Sequence, residues 1–160
     1  MSIKKELPLR IGVGIVLLNQ KNKIFVAKRI DNPDLFWQMP QGGVNKGENL
    51  LKAAKRELME ETSIKSIKLV KELDTWTEYI LPKNLIGKVW KGKYNGQKQK
   101  WFVMKFMGED KEINIKTKNP EFFEWKWVDL DKITDLVVNF KLHVYKEVKE
   151  KVKKLLIKSF

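Results

Sequence analysis

The chain contains no cysteine and a single histidine, His143, among its 160 residues. Without thiols it has neither disulfides nor thiolate metal sites, which is typical of a protein in a reducing cytoplasm. One imidazole excludes a histidine-rich metal site and disfavours histidine-based acid–base catalysis. His143 lies within a helical apolar pattern, and we expect it to be structurally incidental. Carboxylates are therefore the expected groups for any proton transfer.

A long hydrophobic run is also missing. The longest apolar stretch, 11–18, has eight residues and is interrupted by glycine, so it is too short to cross a bilayer. The first ten residues, MSIKKELPLR, contain no apolar segment of a secretion signal. We expect a cytoplasmic protein that neither spans nor binds a membrane. A hydrophobic content of 42% with six tryptophans and eight phenylalanines predicts one folded domain over residues 1–160.

Acidic residues are in the minority, with 20 against 33 basic residues and a net charge of +13. Such an excess favours a polyanionic partner such as nucleic acid. Nearly all of the basic residues are lysine, however, and a lysine-rich proteome would produce the same excess. The positions of individual cations therefore carry more information than the total charge.

Against this basic background, three glutamates are clustered. Glu57, Glu60 and Glu61 have i, i+3 and i+4 spacing near the end of a predicted helix over 49–61, which places them on one face. Like charges repel there, and a helix C-terminus is the unfavourable end of the dipole for anions. A bound divalent cation reconciles the cluster, and an all-oxygen ligand set favours Mg²⁺ or Mn²⁺ over Zn²⁺. The alternative is a solvated acidic face.

The residues around the cluster favour the metal site. Gly42 and Gly43 permit a tight turn before the helix. Glu48 lies at the helix entry, where an anion suits the dipole. Arg56 lies between the two acidic groups, and we expect it to pair with Glu60 or to reach back to Glu48.

The order of the predicted elements indicates an α/β fold. Predicted strands cover 10–18, 24–29, 66–73, 76–81, 100–107 and 125–128. Besides the helix over 49–61, we expect a short helix or turn over 131–136 and a long amphipathic helix over 140–157. Residues 31–34 and the lysine-rich segment 82–99 are predicted to be loops.

The segment from Gly42 to Ile64 resembles the Nudix box. The matching positions are Gly42, Glu48, Arg56-Glu57-Leu58, Glu60-Glu61 and Ile64. One position departs, because Ser63 stands where the family usually has a glycine that ends the helix in a left-handed turn. The resemblance implies an α/β/α sandwich with a mixed sheet, and a metal-dependent hydrolase of phosphoanhydride bonds.

Blocks outside the box are similar to one branch of the family, the bacterial RNA pyrophosphohydrolases and the closely related dinucleoside polyphosphate hydrolases. These blocks extend the resemblance over most of the chain; they are residues 37–43, 96–102, 120–122, 125–128 and 137–145.

The resemblance implies roles for individual residues. Glu57 and Glu61 are the principal metal ligands, Glu60 is a ligand of a second metal, and Glu57 is the leading general base. Arg56 belongs to the catalytic group. Glu121 is placed over the metal site as an extra ligand or alternative base. The expected metal is Mg²⁺, and Mn²⁺ is the expected substitute.

Substrate-binding residues are expected from other segments. Arg10 is the first residue of one predicted strand and Arg29 is the last residue of the next. Arginine suits bidentate phosphate contacts. Lys98, Lys100 and Lys141 are further phosphate-binding candidates, although each could be a solvated surface charge. Aromatic side chains that could stack a terminal base, or simply belong to the core, are Trp76, Tyr79 and Phe140.

The leading hypothesis is an RNA 5′-pyrophosphohydrolase that converts 5′-triphosphate (or diphosphate) RNA ends to monophosphate and so promotes mRNA decay. The alternative is a hydrolase of dinucleoside polyphosphates such as diadenosine tetraphosphate. A hydrolase of modified nucleotides fits the box but not the outer blocks. A non-catalytic RNA-binding module is disfavoured by the intact glutamates. Protein partners are not indicated.

Overall fold

The computed structural model describes residues 7–31 and 36–158. Most of the predicted loop 31–34 and the first six residues of the N-terminal segment lie outside this range. In the described part, three α-helices accompany six strands: β1 (Leu9–Leu18), β2 (Ile24–Arg29), β3 (Gln41–Gly43), α1 (Leu50–Thr62), β4 (Ile67–Ile80), β5 (Gly96–Phe106), β6 (Phe122–Val128), α2 (Ile133–Leu136) and α3 (Leu142–Lys158).

The strands form one mixed sheet in the order β4-β5-β1-β2-β6. β1 and β5 are parallel, and the other pairs are antiparallel. Strands β1 and β2 separate beyond their turn, and residues 38–43 fill the gap. Gln38 pairs with Ala27 of β2, while β3 pairs with residues 12–14 of β1. Because β3 occupies this gap, it lies beneath α1.

Helices cover the two faces of the sheet. On the α1 face, Ala54 and Leu58 pack with odd-numbered β1 residues such as Ile15. On the α3 face, Val148 packs with even-numbered β1 residues such as Val16. Both faces of β1 are buried, which explains why its sequence is continuously apolar rather than alternating. The predicted α/β/α sandwich with a mixed sheet is confirmed.

The predicted strands differ in detail from the observed ones. β4 is one strand where two were predicted, and it crosses the predicted break with irregular register between Glu72 and Trp76. β5 begins at Gly96, inside the predicted loop, because β1 and β4 both pair with this polar stretch. β3 was not predicted, since its sequence Gln-Gly-Gly has no apolar pattern. Backbone pairing between distant segments, rather than side-chain polarity, decides these elements.

No helix within the described ranges is both long and apolar enough to span a membrane.

Candidate active site

Helix α1 is anchored at both ends. The Asn49 side chain accepts hydrogen bonds from the backbone N–H groups of Leu51 and Lys52 at 2.9 and 3.2 Å. At the other end Ser63 adopts the left-handed conformation, with φ 66°. Its hydroxyl donates to the backbone carbonyl of Asn114 at 2.8 Å. Serine therefore makes the turn that the family usually assigns to glycine, and it adds a bond that glycine cannot make.

Arg56 organises the acidic residues of α1. Its guanidinium binds both carboxylate oxygens of Glu48 at 2.8 and 2.9 Å. The same group donates to Glu57 at 2.9 Å, to Glu60 at 3.1 Å and to the backbone carbonyl of Gly43 at 2.9 Å. The Arg56 bonds to Glu48, followed by a hydrogen bond from the Asn45 backbone N–H, lower the pKa of Glu48 to about 2. Both partners predicted for Arg56 from the sequence are present, and one cation offsets the repulsion among three carboxylates.

The glycines of β3 are required by close packing rather than by a turn. Neither has a positive φ, so the predicted tight turn was wrong. A Cβ on Gly42 would overlap the Glu57 carboxyl group, and a Cβ on Gly43 would overlap the Arg10 guanidinium. Glu57 thus lies against the bare backbone of β3 on the α1 face, and Arg10 lies against it on the other.

The carboxylate of Glu61 lies at the base of the site and forms no ion pair among the described residues. Glu61 is 3% exposed, and its Oε2 has no hydrogen-bond partner among the described residues. Burial, followed by repulsion from Glu121 and Glu57, raises the pKa of Glu61 well above its usual value. Burial also raises the pKa of Glu57. Glu121, half exposed, is 3.9 Å from the Arg29 guanidinium.

The four glutamates predicted to bind metal line one open cavity of about 600 Å³. Its other wall carries Thr117, Lys118 and Asn119. Among residues 7–31 and 36–158, no three carboxylates converge in a ready-made coordination arrangement. The donor set nevertheless fits a hard divalent cation. All of the groups are oxygens, and the unpartnered Glu61 oxygen is a buried acceptor that a bound cation would satisfy.

A second group of predicted residues lies on the α3 face. Lys141 is 7% exposed, its ammonium is 5.2 Å from the Tyr79 ring centroid, and burial lowers its pKa to about 7. Phe140 packs on Tyr79 with ring centroids 5.7 Å apart. Tyr79 itself is 2% exposed, so a base would meet Phe140 first. Arg10 donates to Gln97 at 3.1 Å and stacks over Trp90.

Lys98 and Lys100 are not brought to this group. Along β5 the odd-numbered side chains face α3 and the even-numbered ones face α1. Both ammonium groups therefore lie on the α1 face, at 5.3 and 5.7 Å from the centroid of the Trp76 ring. His143 is exposed and its ring nitrogen is 2.6 Å from the Glu78 carbonyl, away from the carboxylates.

Sequence reasoning missed a buried amide cluster beside Tyr79. Gln41, Gln97 and Gln99 are each at most 9% exposed, and the Gln99 amide donates to Gln41 at 2.9 Å. The Nε2 of Gln97 has no partner among the described residues. The signal was present in the alternation of residues 96–100, where glutamine recurs at every second position of a segment that reads as a polar loop.

Comparison with known proteins decides the family. The NUDIX domain matches residues 8–148.

The chain belongs to the NUDIX domain family.

An RNA pyrophosphohydrolase of Pelagibacter ubique is 70% identical over 153 residues, which cover 96% of this chain and 97% of that relative.

Solved NUDIX structures agree in fold. The E. coli dihydroneopterin triphosphate pyrophosphohydrolase has a TM-score of 0.70 at 23% identity, covering 89% of this chain and 97% of that one. An Ap4A hydrolase of C. elegans has a TM-score of 0.63 at 17% identity, covering 89% and 98%. At these identities the likeness shows the fold and does not choose a substrate.

Proposed function

We propose that this chain is a metal-dependent RNA 5′-pyrophosphohydrolase, which adds water to a 5′-triphosphate end and releases pyrophosphate and 5′-monophosphate RNA. The 70% identical relative that carries this name supports the substrate. The structural observation that carries the chemistry is a cluster of glutamates. Arg56 binds Glu57 and Glu60, and beside them the buried Glu61 carboxylate has one oxygen without a partner among the described residues. The removal of protective phosphates would promote mRNA decay, and a cytoplasmic location remains a prediction.

Metal binding is assigned to Glu57, Glu60, Glu61 and Glu121. NUDIX hydrolases generally use divalent metals, and the all-oxygen donor set favours Mg²⁺, with Mn²⁺ as a substitute. When bound, the metal neutralises phosphate oxygens and lowers the pKa of bound water. The raised pKa of Glu61 supports this assignment, because a cation removes the cost of a buried carboxylate.

The remaining site residues position the carboxylates or act as the general base. Arg56 acts as a positioning residue, since its bonds are made to carboxylates and to Gly43 rather than toward open space. Glu57 is the proposed general base; burial raises its pKa, and the ion pair with Arg56 opposes that rise. Glu121 is the alternative base, because it is exposed and lies on the same cavity.

Nucleotide binding is assigned to the α3 face. Phe140 would stack a terminal base, while Arg10 and Lys141 on this face, and Arg29 beside Glu121, would contact phosphates. The buried amides beside Tyr79 would add hydrogen bonds to a base edge. Lys98 and Lys100 remain predicted phosphate contacts, but they can meet only a part of the RNA that reaches the opposite face of the sheet.

The dinucleoside polyphosphate hydrolase is retained as the second candidate, because it requires the same carboxylates and the C. elegans Ap4A hydrolase shares the fold. The two activities differ in what lies beyond the phosphates.

An assay panel separates them. Purified protein with Mg²⁺ would be given 5′-triphosphate RNA, 5′-diphosphate RNA, diadenosine tetraphosphate and free nucleoside triphosphates. We expect the highest kcat/KM for an RNA substrate. A higher kcat/KM for diadenosine tetraphosphate than for both RNAs would overturn the proposal.

A further inference from the structure

The cavity beside the glutamates has a second wall whose polar groups have no assigned use. Thr117, Lys118 and Asn119 follow one another along the segment between β5 and β6 and face the carboxylates. Among the described residues, the Thr117 hydroxyl is buried without a hydrogen-bond partner. The side chains of Lys118 and Asn119 are exposed to solvent, and they have no hydrogen-bond or ion-pair partner among the described residues. Three adjacent donors are thus left unpaired beside four acceptors.

Charge explains what could lie between the walls. Lys118 lines the same cavity as Glu57, Glu60, Glu61 and Glu121 but forms no ion pair with any of them. The space between a cation and metal-binding carboxylates suits an anion that contacts both, because the anion's oxygens can meet the metal on one side and the ammonium on the other. A buried unpaired hydroxyl also costs free energy unless a ligand accepts its hydrogen bond.

The shape of the site indicates which part of the substrate this anion is. Within the part of the chain that the structure describes, no aromatic side chain lines the cavity, so these residues offer no surface on which a base could stack. The aromatic residues Tyr79 and Phe140, with Lys141, belong to the α3 face and do not line it. The nucleoside and the terminal phosphates would therefore approach the carboxylates from different sides.

We propose that Thr117, Lys118 and Asn119 bind the β- and γ-phosphates of the RNA 5′ end, and hold them as the leaving pyrophosphate. This inference rests on the proposed function. Lys118 contacts the terminal phosphates as a point charge, while the Thr117 hydroxyl and the Asn119 amide donate hydrogen bonds. A diphosphate end lacks the outermost phosphate, so Lys118 favours triphosphate over diphosphate RNA.

The test compares Lys118→Ala with Lys116→Ala. Lys116 lies two residues away on the same segment, is exposed and does not line the cavity, so its substitution removes the same charge without the proposed contact. Inorganic pyrophosphate is titrated calorimetrically into each protein at fixed Mg²⁺. We expect the Kd for pyrophosphate to rise about tenfold in Lys118→Ala and to stay unchanged in Lys116→Ala.

Two further readouts sharpen the test. Thr117→Val keeps the shape and removes the hydroxyl, so it should weaken pyrophosphate binding; a hydroxyl that is merely structural would leave the Kd unchanged. In steady-state assays Lys118→Ala should lower kcat/KM for 5′-triphosphate RNA several-fold more than for 5′-diphosphate RNA.

The outcomes are distinguishable. Equal pyrophosphate affinity in wild type, Lys118→Ala and Lys116→Ala would overturn the inference while leaving RNA hydrolysis intact. A wild-type protein that binds pyrophosphate through Lys118 but hydrolyses no RNA would refute the proposed function and support this phosphate site for another substrate.

Discussion

Glu61→Gln should make the metal-free protein more stable and less active. The Glu61 carboxylate is 3% exposed, one of its oxygens lacks a partner among the described residues, and Glu121 and Glu57 repel it. A glutamine of the same shape removes the charge, and its amide can donate to Glu121. Relief of an unpaired buried carboxylate is worth on the order of 1.5 kcal/mol. For a chain of this size that corresponds to a rise in Tm of about 3–6 °C.

The pH dependence of this stability difference tests whether the buried charge of Glu61 causes it. Burial and like charge raise the pKa of Glu61 above its usual value of 4.5. A carboxyl group whose folded-state pKa is raised destabilises the protein above that pKa, and the penalty disappears as the pH falls toward 4.5. The stability difference between Glu61→Gln and wild type should therefore be largest at neutral pH and should vanish under acidic conditions.

Thermal unfolding in EDTA and in Mg²⁺, across this pH range, is the appropriate assay. Wild type should gain stability from Mg²⁺, and Glu61→Gln should gain little, because it has lost a ligand. Glu60→Gln is the matched control: it removes the same charge from the same helix, but Glu60 is exposed and paired with Arg56, so the metal-free Tm should hardly change. A Glu61→Gln protein that is less stable than wild type in EDTA at neutral pH would refute this reasoning.

Three further experiments follow from the site. Glu57→Gln should lower kcat on 5′-triphosphate RNA by about a thousandfold, equivalent to on the order of 4 kcal/mol of barrier, with an unchanged circular dichroism spectrum; retention of a tenth of wild-type kcat would contradict its assignment. Ser63→Gly and Ser63→Ala both lose the hydroxyl bond to Asn114, but only glycine relieves the left-handed backbone, so urea unfolding should show Ser63→Ala to be less stable than Ser63→Gly by about 1 kcal/mol; equal stabilities would mean that the left-handed backbone at this position costs alanine nothing. Added salt should reduce kcat/KM more for 5′-triphosphate RNA than for diadenosine tetraphosphate, because only RNA has an extended phosphate backbone; equal slopes would favour the dinucleotide substrate.

Local sequence determined much of what is now seen. The i, i+3, i+4 spacing of Glu57, Glu60 and Glu61 follows from helical geometry alone, and apolar periodicity located α1 and α3 within a few residues. The number of strands was harder to predict. β3 and the first residues of β5 are held by pairing with β1, and nothing in their own composition marks them as strands.

Tertiary structure alone decided which predicted residues meet. Whether a lysine of β5 faces the substrate or the opposite surface depends on strand register, and the register places Lys98 and Lys100 beside Trp76. Likewise, the isolated residues Glu121 and Arg29 become neighbours only because β2 pairs with β6. The sequence by itself determined the chemical groups and their spacing along one helix, since both are local properties. The burial of Glu61, its repulsion by neighbouring carboxylates, and the position of Thr117–Asn119 on the same cavity arise from contacts between distant segments. Only the folded chain could reveal them.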